Sequence, residues 1–119
     1  MSELRPYPSN ARAALRAAAR LRAAYEDERQ QVFLQTRDLS ETGVFLWASD
    51  PPPVGARARL LLQLPGQPAF VRLQGTVARR EVTTTSASGF ALCFEQSALD
   101  EGTRECLRDF VRQQIPHRQ

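Results

Sequence analysis

The sequence predicts a mainly β fold: a six-stranded antiparallel barrel with one C-terminal α-helix packed on it. Two observations predict it. Between Ala18 and Glu95, short segments rich in Val, Leu and aromatic residues alternate with turn chemistry at close spacing, the pattern of an antiparallel sheet that curls and closes on itself. After Ser97 the apolar residues change to a helical period. At 119 residues the chain reads as one domain, long enough to bury roughly two thirds of the surface of its unfolded form.

Residues 1–10 carry Pro6, Pro8, Ser9 and Asn10 and read as a flexible lead-in. From Ala11 to Glu28 the chain is built of strong helix formers, and Asn10 could cap them, so propensity alone says helix. Alternation says otherwise. Ala19, Leu21, Ala23 and Tyr25 are apolar while Arg20 and Arg22 fall on the other face, which is how a half-buried strand over Ala18–Tyr25 reads. The residues alone leave both readings open.

Glu26 to Gln30 is a charged hairpin tip, and strands follow over Gln31–Asp38 and Gly43–Ala48. Asp38-Leu39-Ser40-Glu41-Thr42-Gly43 joins them as a tight turn, because Asp and Ser can bond nearby backbone and Gly tolerates positive φ. Asp50-Pro51-Pro52-Pro53-Val54-Gly55 is a loop, and Arg57–Leu64 the next strand. Pro65-Gly66-Gln67-Pro68 turns the chain into a strand over Phe70–Glu81. A small, polar loop from Thr83 to Ser88 leads into the last strand, Gly89–Glu95. Ser97 with Asp100 resembles a capping box for a helix over 98–114, in which Leu99, Thr103, Cys106, Leu107, Phe110 and Val111 share the face that packs on one end of the barrel. The helix ends near Ile115-Pro116.

Composition removes several function classes. The first residues lack the apolar core of a secretory signal, and no apolar run approaches the ~20 residues of a membrane span. The expected protein is cytoplasmic, without membrane insertion. Cys93 and Cys106 lie far apart with only His117 as another soft ligand, so no tetrahedral metal site is available, and both read as small buried hydrophobes. No His-Glu-x-x-His, phosphate loop or Gly-x-Ser-x-Gly elbow is present, and Ser40 has no base. The expectation is a protein that is not an enzyme and needs no cofactor or metal.

All sixteen basic residues are arginine and the net charge is +3, a mild preference for an anionic partner. Arg12, Arg16, Arg20 and Arg22 form the densest basic run, which reads as a solvated face. Phe33, Phe45, Trp47, Phe70, Phe90 and Phe94 mostly fall in strands, where core packing accounts for them. DNA or RNA binding is therefore disfavoured.

Two short motifs are left. Arg12-Ala13-Ala14-Leu15-Arg16 and Asp38-x-Ser40-x-x-Gly43 resemble the Arg-x-x-x-Arg and Asp/Asn-x-Ser-x-x-Gly motifs of the bacterial PilZ domain family. The resemblance extends over nearly the whole chain, through Gly43-Val44-Phe45-Leu46, Pro53-Val54-Gly55, Leu62-Gln63-Leu64-Pro65, Leu73-Gln74-Gly75-Thr76-Val77 and Gly89-Phe90-Ala91-Leu92-Cys93-Phe94 to the final helix. Arg16 with Arg20 also fits the first motif. Arg12 and Arg16 are preferred because family members place the second arginine just before an alternating strand ending in an aromatic residue, as Leu21-x-Ala23-x-Tyr25 does.

The resemblance implies an arginine-motif loop at 11–17, a PilZ-type barrel at 18–95 and the helix, within a domain spanning 11–115. It also implies a module that senses the second messenger cyclic di-GMP. Arg12 and Arg16 would fork onto its phosphates or the Hoogsteen edge of guanine, Asp38 would face guanine's N1 and N2 donors, and Ser40 would bond the same edge. Gly43 would leave room for the base, and Arg20 is the substitute for a motif arginine. Binders in the family often carry a further arginine beside the first, where this chain has Ala11 and Ala13. The implied function is a cyclic di-GMP receptor that relays the signal to a protein partner. The alternative is a PilZ-like adaptor without the nucleotide, acting by protein contacts in motility or type IV pilus regulation.

Overall fold

The structure, a computed structural model, describes residues 16–67, 70–84 and 87–114. Strands β1 (Ala17–Ala18), β2 (Arg22–Glu26), β3 (Gln31–Leu39), β4 (Gly43–Trp47), β5 (Arg57–Leu62), β6 (Val71–Glu81) and β7 (Gly89–Phe94) precede helix α1 (Glu101–Gln114). Every pairing is antiparallel, and the order β3-β2-β5-β6-β7-β4 returns to β3, closing a six-stranded barrel. Closure leaves no continuous sheet edge.

β1 adds no seventh strand to that ring. It pairs with β3, Ala17 opposite Leu39, as β2 does further along, with Arg22 opposite Gln35. The expected strand Ala18–Tyr25 is thus one strand interrupted at Ala19–Leu21, and Ala17 lies in it rather than in a loop. Thr36, fully buried, fills the interruption. Its Oγ1 accepts from Leu21 N at 2.9 Å and donates to the Ala19 carbonyl. Backbone bonds from Ala19 N to Arg37 O at 3.1 Å and from Thr36 N to Leu21 O at 2.9 Å complete the splice. Pairing with β3 overrides the helix propensity of the alanines, since a lone helix there would bury little. Arg12 and the lead-in of residues 1–10 lie outside the described residues.

Alternation places Ala58, Leu60 and Leu62 of β5 inside with Leu73 and Val77 of β6 and Phe90, Leu92 and Phe94 of β7. Tyr25 meets Phe90 edge-on, ring centroids 5.4 Å apart. Burial, reinforced by a 2.6 Å hydrogen bond to Asp27, pushes the Tyr25 phenol pKa up. The same period corrects three expectations. Cys93 is exposed because Leu92 and Phe94 on either side of it point inward, and Cys106 is only half-buried. Phe33 and Phe70 are exposed, and Phe45, though fully buried, lies outside the core cluster.

The helix starts at Glu101, three residues past the expected position, and the Ser97 capping box does not form. Ser97 sits in a single 3-10 turn, Gln96–Ala98. Asp100 is the cap instead, its Oδ1 accepting from Thr103 N at 2.7 Å, which holds its carboxyl below the usual range. Leu107, Phe110 and Val111 join the barrel core. Arg108 reaches Glu41 at 3.5 Å and Cys106 Sγ reaches Gln67 at 3.7 Å. Those contacts seat α1 on the barrel end that carries the β3–β4 and β5–β6 turns.

Candidate functional site

Ser40 builds the β3–β4 turn. Fully buried, its Oγ accepts from Thr42 N and Gly43 N, each at 3.1 Å, while its own N–H donates to Gly43 O at 2.8 Å. The hydroxyl is thus bonded within its own turn. Gly43 is needed for a different reason from the one its place in a turn indicated: its φ is not positive, but a Cβ there would lie 2.7 Å from the Leu92 carbonyl of β7. The turn can therefore lie flat against the neighbouring strand.

Asp38 stands at the start of this turn, and a bulge decides where it points. The β3–β4 register shifts between Thr36 and Asp38. Strict alternation would send Arg37 and Asp38 to opposite faces. The extra residue puts both outside while Thr36 and Leu39 remain buried. Arg16, at the mouth of β1, donates to Asp38 Oδ1 through Nε at 2.9 Å and Nη2 at 2.5 Å, and its Nη1 lies 3.4 Å from Ser40 Oγ. Arg37 Nε donates to the other oxygen, Oδ2, at 2.9 Å.

The cluster continues across the barrel. Arg37 Nη1 reaches Glu81 Oε1 at 3.4 Å, and Arg79 Nη2 donates to Glu81 Oε2 at 2.9 Å. The bond from Arg79, helped by the charges of both arginines, holds the Glu81 carboxyl below its usual range. The result is an alternating strip, Arg16–Asp38–Arg37–Glu81–Arg79, laid over the outer face of β4. Beneath it, Arg37's guanidinium carbon lies 3.6 Å from the Phe45 ring centroid and 5.6 Å from that of Trp47, and the two rings meet edge-on at 5.6 Å. Beyond Trp47 the surface opens into a groove of about 880 Å³ lined in part by Arg22, Phe33 and Gln35.

Of the residues singled out from the sequence, the structure brings together Arg16, Asp38 and Ser40, with Gly43 behind them. Arg20 is exposed in the interruption between β1 and β2 and makes no ion pair with the described residues. Arg37, Phe45, Trp47, Arg79 and Glu81 were not anticipated. A signal existed for two of them: Val44-Phe45-Leu46-Trp47 is apolar at every position, so it needs cover on both faces of its strand. Among the described residues no cluster of His, Cys, Asp or Glu could hold a metal ion, and no helix is long and apolar enough to cross a membrane.

The sequence model of the PilZ domain matches residues 10–113, which include all of these strands, the bulge, the turn and nearly the whole helix. The chain belongs to the PilZ domain family. Solved PilZ-like structures share its fold. The Bacillus subtilis inhibitor of motility, MotI/DgrA, superposes with a TM-score of 0.71 at 16% identity, over 93% of this chain and 51% of that one. This chain thus spans about half the length of that protein. The PilZ domain of YcgR from Escherichia coli, solved with c-di-GMP, superposes at 0.63 with 12% identity, over 85% of this chain and 88% of that one. No curated protein matches the sequence. In this PilZ domain Asp38 and the Ser40–Gly43 turn sit together on the barrel, and Arg16 is bonded to Asp38.

Proposed function

We propose that this PilZ domain binds cyclic di-GMP and relays its level to a protein partner by contact, without a catalytic step. The observation that carries the reading is Asp38, a carboxylate at the barrel surface whose two oxygens bond arginines from different elements, Arg16 and Arg37. Guanine offers N1 and N2 donors that a carboxylate accepts, and its O6/N7 edge and the ligand's phosphates accept from guanidinium forks. Arg16 and Asp38 are a matched pair for such a ligand, and each can trade its bond to the other for one to the nucleotide.

In this reading Ser40 and Gly43 act mainly by setting the turn that aims Asp38. Arg12 takes a second phosphate or base edge from the preceding segment, with Arg20 as its substitute. The YcgR PilZ domain, solved with c-di-GMP, shares the fold and lends support. Engagement of the motif arginines by the ligand changes the surface offered to a partner.

Calorimetric titration with cyclic di-GMP tests the proposal. Saturable heat is expected for the wild type, with losses of about tenfold or more in Arg12→Ala, Arg16→Ala and Asp38→Ala, each removing a charge-assisted bond. Binding that survives Arg12→Ala but not Arg20→Ala assigns the second arginine to Arg20. An intact fold that gives no heat at micromolar ligand sinks the receptor reading. It favours instead a nucleotide-independent adaptor in motility or pilus regulation, to which the likeness to an inhibitor of motility lends support.

A further inference from the structure

We propose that Arg37 is a further ligand-binding residue of this site, offering the outer face of its guanidinium plane as a stacking surface for a guanine base. The inference rests on the cyclic di-GMP reading above. Three observations on the outer face of the barrel carry it.

The first is the bulge, which brings Arg37 out beside Asp38 on a strand held from both sides. The second is the stack. The guanidinium lies 3.6 Å from the centre of the Phe45 ring, and Phe45 is itself fully buried. Gly89 braces that ring from β7, where an added Cβ would come 2.8 Å from Cζ. The third is the anchoring of the edges, with Asp38 Oδ2 on Nε at 2.9 Å and Glu81 Oε1 on Nη1 at 3.4 Å.

Together these fix the plane of the group. One face rests on an aromatic ring, two edges are held by carboxylates, and 35% of the side chain remains open to solvent. What such a group can still offer is its second face. A planar, electron-rich ring system is the partner that fits flat on a guanidinium, and a purine is that kind of ring. A base stacked there lies next to Asp38, whose Oδ2 touches the same guanidinium.

The strip also suits the ligand's charge, since its three arginines face only two carboxylates. And it bears on what the chain lacks. With alanine at positions 11 and 13, the preceding segment has no extra arginine beside Arg12. Arg37 supplies a guanidinium whose plane is held by Phe45, Asp38 and Glu81, so less side-chain freedom is lost on binding.

Trp47, the chain's one tryptophan, lies 5.6 Å from the Arg37 guanidinium and reports on this spot. The experiment titrates wild type, Arg37→Ala, Arg37→Lys and Arg72→Ala with cyclic di-GMP, following heat and Trp47 emission together, with melting curves to establish that each variant is folded. Arg72→Ala removes a positive charge from the outer face of β6, opposite Leu61 of β5 and seven residues before Arg79. The expected result is wild-type heat and Trp47 quenching with one midpoint, a loss of about ten- to a hundredfold in Arg37→Ala, a comparable loss in Arg37→Lys, and near-wild-type binding in Arg72→Ala. If Arg37→Ala does not fold, Arg37→Lys decides, because it keeps the charge and loses only the plane. Heat that persists at wild-type affinity in the Arg37 variants, without a Trp47 response, overturns this inference and leaves the receptor reading standing. An equal loss in Arg72→Ala overturns it as well, since bulk charge then accounts for the effect. Absence of heat in the wild type overturns both.

Discussion

Arg16 and Asp38, 22 positions apart in sequence, form a forked contact in which both Nε and Nη2 of the arginine donate to one carboxylate oxygen, at 2.9 and 2.5 Å. Arg16 is 42% exposed, so the pair adds little to stability; exposed ion pairs contribute about 0–1 kcal/mol. In the proposed reading its value lies in holding two ligand-binding groups in register. Asp38→Asn keeps the shape and removes the charge. It is expected to shift the unfolding free energy by less than about 1 kcal/mol while weakening cyclic di-GMP binding about tenfold or more. Denaturant melts and calorimetry on the same sample separate the two effects. A large stability loss with unchanged affinity would make the pair structural.

Thr36 joins the two halves of the broken strand. Thr36→Val keeps the volume but strands Leu21 N and Ala19 O in a buried place, costing about 1–3 kcal/mol. Thr36→Ser keeps the hydroxyl and is expected to cost less than Thr36→Val. Urea titrations of the two variants check the order. If valine proves the milder change, the hydroxyl is not what holds the interruption closed.

That splice also marks where sequence reasoning stops. The six strands were legible because apolar alternation and turn residues are local signals, and the Asp38–Gly43 turn was legible because Ser40 and Gly43 act within four residues of each other. Helix propensity in Ala11–Glu28 pulled the other way, and only pairing with β3 could overrule it. The site was half legible. Arg16, Asp38 and Ser40 come together as the motifs indicated, but Arg37 looked like an ordinary strand residue. Its position depends on a bulge, and bulges show in sequence only as an odd step between buried residues, here Thr36 to Leu39. Arg79 and Glu81 reach the strip from β6, past a second register shift between Val77 and Arg79. No local pattern in the sequence links them to Arg37.

Gly89 tests the support under Phe45. A methyl group added there would sit 2.5 Å from the Leu46 carbonyl and 2.8 Å from Phe45 Cζ, and the backbone of β4 cannot step aside within a closed barrel. Gly89→Ala is expected to cost about 1–3 kcal/mol, the usual range for overpacking, and to alter Trp47 emission as Phe45 is displaced. A variant with wild-type stability and wild-type emission would show that the ring has room to move.

Acid titration addresses the other anchor of Arg37. The hydrogen bond from Arg79, with the charges of Arg37 and Arg79, lowers the Glu81 pKa from its usual 4.5. A carboxyl whose folded pKa is depressed contributes its pairing fully above the unfolded value and loses it as pH falls through the folded one. The Arg37–Glu81–Arg79 bridge should therefore be intact at pH 5 and above, and open only below 4.5. Trp47, next to Arg37, should change its emission in that acid range while the far-ultraviolet dichroism of the barrel stays constant. Glu81→Gln should remove the transition and give acid-like emission at neutral pH. A transition centred above 4.5, or one that persists in Glu81→Gln, would show that another group governs the strip.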